Sequence, residues 1–304
     1  MLIERTEYMS LLEKWRDKRM IKVVTGIRRC GKSSLLRMFK DKILTDGVSK
    51  EQVVELNFEE LDNEPLLDYK ALHTYLKQQL QRDRMNYIFL DEIQMVDGFQ
   101  KVIDSLFLLD NVDIYLTGSN AYMLSGEIAT LLTGRYVEIK MLPFSFREFT
   151  HGLPAGTSAE DAYRKYIENG SFPYIMQIEH DQEMVNEYLT GLYNTIVLKD
   201  VVNRRKITDV MMLQNLVRFL ADNIGNISVI KRISDTMTSL GRKISVHTVE
   251  NYISALTDSY VFYSAPRYDA KGKQLLKTGQ KLYLADVGLR NVINGTKGGD
   301  LGHI

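Results

Sequence analysis

Residues 26 to 33, Gly-Ile-Arg-Arg-Cys-Gly-Lys-Ser, constrain the fold of this chain more than any other segment. Glycine, four variable residues, glycine, lysine and serine is the spacing of a phosphate-binding loop. Glycines let the backbone curl until successive N–H groups point at an anion, and the helix that follows turns its positive end to the same place. The candidate nucleotide-binding residues are therefore Gly26, Ile27, Arg28, Arg29, Cys30, Gly31, Lys32, Ser33 and Ser34. Lys32 is expected on the β- and γ-phosphates of ATP. Ser33 is expected on Mg²⁺, a hard cation that prefers oxygen ligands and keeps several waters. The flanks fit: Ile21 to Thr25 reads as a short β-branched strand, and Leu35, Leu36, Phe39, Ile43 and Leu44 recur at helical spacing.

Five strand-like segments cross the first half: Ile21 to Thr25, Val53 to Phe58, Tyr87 to Asp91, Val112 to Thr117 and Tyr136 to Met141. Helical stripes such as Leu72, Tyr75, Leu76, Leu80 and Phe99, Val102, Ile103, Leu106 fill the gaps. Strands alternating with helices predict an α/β fold, a parallel five-stranded sheet covered on both faces, with ligands at the carboxyl ends of its strands.

A phosphate loop alone only binds; hydrolysis also needs a metal ligand, a base and groups that meet the charge on the transferring phosphoryl. Tyr87-Ile-Phe-Leu-Asp-Glu92 is an apolar strand ending in adjacent carboxylates, the Walker B arrangement. Asp91 is expected to hold Mg²⁺, and Glu92, one residue beyond, to orient and deprotonate the attacking water. The fourth strand ends Leu116-Thr-Gly-Ser-Asn120; Asn120 is favoured over Ser119 as the γ-phosphate or water contact, the plainer reading being a polar turn. Arg135, just before the fifth strand, is the candidate transition-state arginine, in its own chain or a neighbour's. Lys32, Glu92, Asn120 and Arg135 thus form the expected catalytic set, and Ser33 and Asp91 the metal pair. Arg28 and Arg29 either contact phosphates or pair with acidic neighbours. The five histidines show no metal-ligand spacing.

Lysine plus arginine equals aspartate plus glutamate at 39 each, so no global field draws the chain to nucleic acid or an anionic membrane. The one cysteine, Cys30, suits a reducing cytoplasm; it reads as a small loop filler rather than a redox thiol. Met1 to Arg5 lacks a signal-peptide pattern, and nowhere do about 18 apolar residues run together. A cytoplasmic protein without a membrane span is expected.

The octet at 26 to 33, Phe-Leu-Asp-Glu-Ile-Gln at 89 to 94, Leu-Thr-Gly-Ser-Asn at 116 to 120 and Leu-Pro-Phe-Ser-Phe-Arg-Glu-Phe at 142 to 149 stand in register. Together they resemble the prokaryotic AAA-type ATPases that carry a winged helix and, in full-length members, a C-terminal domain similar to restriction endonucleases. Gly170-Ser-Phe-Pro173, Val197 to Val201, Thr248 to Tyr252 and Lys281 to Leu289 agree with it. The resemblance implies a sheet with the phosphate-loop strand between the fifth and fourth strands, and the roles given above for Lys32, Ser33, Asp91 and Glu92. It also implies that Gly170 and Pro173 belong to a nucleotide-sensing lid motif, where Ser171 replaces a more usual glycine.

Four segments are expected: an ATPase domain at 1–150, a helical lid at 151–225, a winged helix at 226–285 and the entry to an endonuclease-like domain at 286–304. Helices are read over Ala162 to Glu168, Asp181 to Asn203 and Met211 to Asn223. Ser228 and Ser245 are read as N-caps, with Tyr260 to Ala265 and Lys281 to Ala285 as the hairpin strands. Residues 199 to 281 carry twice as many basic as acidic side chains. Double-stranded DNA is thus a candidate partner through Arg204, Arg205, Lys206, Lys231, Arg232, Arg242, Lys243, Lys271 and Lys273, which would grip backbone without reading sequence. A protein partner is the alternative. The expected activity is ATP binding and hydrolysis driving a regulatory or DNA-associated switch; a nucleotide-gated interaction module with negligible turnover is its rival.

Overall fold

The computed structural model describes residues 3–121, 132, 134–203, 205–266 and 279–295. The chain packs as two compact units that divide between Leu142 and Pro143.

In the first unit, helix α1 (Thr6–Trp15) leads into strand β1 (Ile21–Thr25) and helix α2 (Lys32–Thr45). Then come β2 (Val53–Asn57), α3 (Tyr69–Gln79), β3 (Asn86–Asp91), α4 (Phe99–Phe107), β4 (Val112–Gly118) and β5 (Tyr136–Lys140). All neighbouring strands pair in parallel, in the order β2-β3-β4-β1-β5, so the phosphate-loop strand lies between the fourth and fifth as expected. Strand alternation sorts the side chains. Ile21, Val23, Ile88, Leu90, Ile114 and Leu116 join Leu72 and Leu76 of α3 and Val102, Ile103 and Leu106 of α4 in one apolar core. Each such side chain, fully buried, contributes about 1.5–3 kcal/mol. The other face presents Lys22, Phe89, Asp113, Tyr115 and Thr117; there Tyr115 stacks on Phe89 at 4.8 Å and meets Phe39 of α2 at 5.3 Å.

The second unit opens with α5 (Phe146–Gly152), whose capping box pairs Ser145 with Glu148. Phe146 and Phe149 of α5 meet Tyr166 of α6 (Ala159–Asn169) edge-on at 5.5 and 5.3 Å. Next are α7 (Ile175–Ile178), α8 (Gln182–Thr195), a wider helical stretch over Ile196–Asn203, and α9 (Val210–Asp222). Strand β6 (Ile227–Ser228), helices α10 (Ile230–Ser239) and α11 (Val246–Asp258), strands β7 (Phe262–Ala265) and β8 (Gln280–Leu284), and helix α12 (Val287–Asn294) complete it. The three short strands form an antiparallel sheet, β6-β8-β7.

Two expectations need correction. Ser245 caps α11 by accepting from Thr248 N at 3.0 Å, but Ser228 is no cap: it is a strand residue facing Gln280, and α10 starts after Val229. Tyr260 precedes its strand, in a left-handed conformation that ends α11. Asp286 caps α12 and is fully buried, its Oδ2 accepting from Ser171 N and Oγ at 2.7 and 2.9 Å, and Asn291 donates to the carbonyls of Ile167 and Glu168. The Gly170-Ser171 turn is seated on that carboxylate so closely that a Cβ at Gly170 would lie 2.3 Å from Asp286 Oδ1. Residues 296–304 lie outside the described residues.

Candidate nucleotide site

The loop between β1 and α2 is curled by Arg29 (φ +64°) and Gly31 (φ +103°). A side chain at Gly26 is barred, because its Cβ would stand 2.1 Å from the Met141 carbonyl oxygen. Helix α2 begins at Lys32, and among the described residues no side chain caps its first N–H groups, the arrangement that suits an anion. The ammonium of Lys32 is buried and donates to the carbonyls of Gly26 at 3.1 Å and Ile27 at 3.3 Å, 3.8 Å from Glu92 Oε1. Ser33 and Ser34 are exposed at the helix start.

Asp91 closes β3, and its carboxylate accepts from Thr117 Oγ1 and bonds the Ser33 hydroxyl. Burial pushes its pKa up against those hydrogen bonds and the pull of Lys32. Glu92 leaves the strand in a left-handed conformation (φ +53°, ψ +43°) that costs a non-glycine residue roughly 1–2 kcal/mol. Its N–H is anchored on Thr117 Oγ1 at 2.8 Å. Ser119 Oγ donates to Glu92 Oε2 at 2.9 Å, and Gln94 Nε2 donates to the same oxygen. Burial alone would raise the Glu92 pKa, but Lys32, Gln94 and Ser119 outweigh it and hold the carboxyl below its ordinary value. Beside the pair, a cleft of about 170 Å³ is lined by Ser33, Arg37, Glu55, Asn57, Glu60 and Asp91 among others.

The structure therefore brings Lys32, Ser33, Asp91 and Glu92 together. Ser119, passed over on sequence for Asn120, is the hydroxyl that bonds Glu92; Asn120 is buried next to it. Arg28 pairs with Glu59 at 3.1 Å, while Arg29 is exposed. Cys30 is fully buried and burial pushes its thiol pKa up, which disfavours the reactive thiolate. Arg135 is not at this site within its own chain. It sits just before the amino end of β5, its carbonyl accepting from Ile21 N at 2.8 Å, with the five paired residues of the strand, roughly 16 Å, between it and the loop end of the sheet. There it forms an ion pair with Asp104 and lies over Phe107.

Sequence reasoning missed three supports. Thr117 binds both carboxylate residues, and Gln94 holds Glu92; Thr117 is signalled only by its place one residue short of the strand end. Arg5 is buried and props the loop from behind, donating to the Cys30 and Leu142 carbonyls at 3.2 and 2.8 Å. No local pattern marks it.

A five-stranded parallel sheet of this order, with a phosphate loop after β1 and paired carboxylates after β3, defines an AAA-type P-loop ATPase. The AAA domain family matches residues 18–150, and a domain of unknown function (DUF8612) matches residues 160–300. An uncharacterized protein of Haemophilus influenzae is 37% identical over 301 residues, covering 98% of this chain and 75% of that protein. One from Methanocaldococcus jannaschii is 29% identical over 288 residues, 88% of this chain and 60% of that protein. The chain belongs to the same family as the Haemophilus influenzae protein, with an AAA domain in its first half. Among solved structures, a Walker-type ATPase of Pyrococcus abyssi shares the fold, with a TM-score of 0.64 at 16% identity over 96% of each chain. Among the described residues, no helix is long and apolar enough to cross a membrane.

Proposed function

We propose that the chain binds ATP with Mg²⁺ at the loop of residues 26–34 and hydrolyses it slowly, and that this cycle drives a regulatory or DNA-associated switch. The observation that carries this reading is the meeting of Lys32, the Ser33–Asp91 pair and Glu92 around one uncapped helix start. Ser33 and Asp91 suit Mg²⁺, since two oxygen donors leave room for phosphate and water. Among the described residues no group of three or more His, Cys, Asp or Glu offers an all-protein cage. A bound Mg²⁺ would supply charge neutralisation at the phosphates. The chain's own groups do the rest. Lys32 exchanges its two carbonyl partners for phosphate oxygens, and its departure frees Glu92 Oε1, the oxygen not held by Ser119 or Gln94, to take a proton from water.

Phosphate release from MgATP, with Glu92→Gln alongside, tests the reading. Turnover lost in the variant while nucleotide still binds supports it; equal turnover in both sinks the assignment of the base. One observation favours the rival, a nucleotide-gated module with negligible turnover: the Glu92 carboxylate is engaged by three partners.

The helices α10 and α11 with the β7–β8 hairpin have the order of a winged helix. Contact with the DNA backbone is proposed through Lys231, Arg232, Arg242 and Lys243, all exposed. The outward face of α11 carries His247, Asn251 and Ser254, without the arginine that most often reads guanine. Arg205 is paired with Asp258, while Arg204, Lys271 and Lys273 lie outside the described residues. Stimulation of phosphate release by duplex DNA would favour this partner over a protein one.

A further inference from the structure

Gln94 lies outside the phosphate loop, yet it is bound to the centre of the site. It stands in a tight turn after β3, where Met95 N reaches back to Glu92 O at 3.0 Å. That turn folds its side chain over Glu92, so Nε2 donates to Glu92 Oε2. The other end of the same amide, Oε1, is buried and has no hydrogen-bond partner among the described residues. A buried acceptor left unpaired costs about 1–3 kcal/mol, so such an atom calls for a donor. The neighbouring acceptor surface is already divided: Glu92 Oε2 is taken by Ser119 and Gln94, and only Oε1 remains once Lys32 is drawn away.

We propose that Gln94 is a second catalytic residue, whose Oε1 accepts one hydrogen of the attacking water while Glu92 Oε1 accepts the other. The water oxygen forms a bond to the γ-phosphorus as the bond to the β,γ-bridging oxygen breaks. That oxygen leaves on ADP with the electron pair, the proton facing Glu92 passes to its carboxylate, and Gln94 keeps the remaining hydrogen aligned. Two acceptors fix the water in a plane, where one would let it swing; positioning of this kind is a main source of rate in phosphoryl transfer. The inference rests on the hydrolytic reading above.

The test uses the whole chain with MgATP. Steady-state phosphate release, affinity for a fluorescent ATP analogue and thermal melting are measured for wild type, Glu92→Gln, Gln94→Met and Gln94→Asn. Methionine keeps the length without the amide, and asparagine withdraws the amide by one methylene. Both Gln94 variants are expected to lose on the order of 10- to 100-fold in kcat, with Kd within about twofold of wild type. Turnover within about twofold of wild type in either folded variant, while Glu92→Gln is inactive, overturns the role of Gln94 and leaves the hydrolytic reading standing. A fall in kcat matched by an equal weakening of Kd also overturns it, because the residue would then only shape the pocket. Wild-type turnover no faster than that of Glu92→Gln removes both.

Discussion

Strand β4 carries Asp113, Tyr115 and Thr117 on one face, and roughly 13 Å separates two buried lysine–carboxylate clusters at its ends. At the amino end, Lys22 bonds Asp113 directly and also donates to the Lys18 carbonyl at 3.0 Å. The second oxygen of Asp113 accepts from Asp17 N at 2.9 Å and Tyr115 OH at 2.8 Å, and both charged side chains are within 2% of complete burial. At the carboxyl end, Lys32 stands 3.8 Å from Glu92 and spends its protons on two carbonyls instead. Its carboxylate partner is held in a left-handed turn, and the helix behind it is uncapped. Burial and charge are common to both ends. What differs is that one cluster has closed on itself while the other keeps donors in reserve for an anion.

The largest effects separate the two ends outright. Glu92→Gln is expected to lower ATP turnover by about 10²–10⁴-fold with nucleotide affinity kept, since it removes the proposed base and leaves the loop intact. Phosphate release and analogue binding measure both. Lys22→Met, at the closed end, leaves Asp113 buried without its cation and is expected to cost about 3–5 kcal/mol in urea unfolding. The folded fraction should still bind nucleotide normally. If Lys22→Met weakens binding as much as Lys32→Met does, the two clusters are one system and the contrast fails.

The open end was largely legible in the sequence and the closed end was not. Gly26 to Ser33 and Asp91-Glu92 are contiguous patterns whose meeting at one end of the sheet follows from spacing and strand direction, and the strand order follows from the resemblance they support. Lys22 reads as nothing more than a polar position in an alternating strand, because its partner lies 91 residues away. Ser119 and Asn120 are adjacent polar residues, and which one meets Glu92 depends on how the chain leaves β4. Arg135 is a different case. A residue just before a parallel strand must lie at the end away from the phosphate loop, so its placement was available from the sheet direction. The capping role of Asp286 is likewise silent in the sequence, since nothing nearby shows that its partner is Ser171, 115 residues earlier.

The closed cluster also has a distinctive pH response. Burial pushes the Lys22 ammonium below the ordinary lysine range against the pull of Asp113, and pushes the Asp113 carboxyl up against its donors. A raised carboxyl adds stability that is complete below its unfolded pKa of about 3.9 and is lost as pH rises through the folded value. A depressed lysine penalises the native state at lower pH, and the penalty lifts as pH climbs toward the unfolded value of about 10.4. Both penalties act near neutrality. The double variant Lys22→Met with Asp113→Leu should therefore equal or exceed wild type by up to about 4 kcal/mol near pH 7. That margin should narrow toward both acid and alkaline pH in urea titrations. A margin that widens on acidification would mean Asp113 titrates like an ordinary paired carboxylate.

The smallest effects come from two hydroxyls on the same face of β4. Thr117→Val keeps shape but removes the donor to Asp91 and the acceptor that anchors Glu92 N. The expected cost is about 1–3 kcal/mol, together with a severalfold loss of turnover, because the left-handed turn of Glu92 loses its tether. Tyr115→Phe removes one donor from Asp113, which keeps Lys22 and the Asp17 N–H. About 0.5–1.5 kcal/mol should go, with turnover unchanged. The two substitutions are two residues apart and delete the same atom type, so the difference in turnover isolates position from chemistry. Equal turnover losses would show that the strand transmits strain from end to end, and that the closed cluster is part of the catalytic machinery after all.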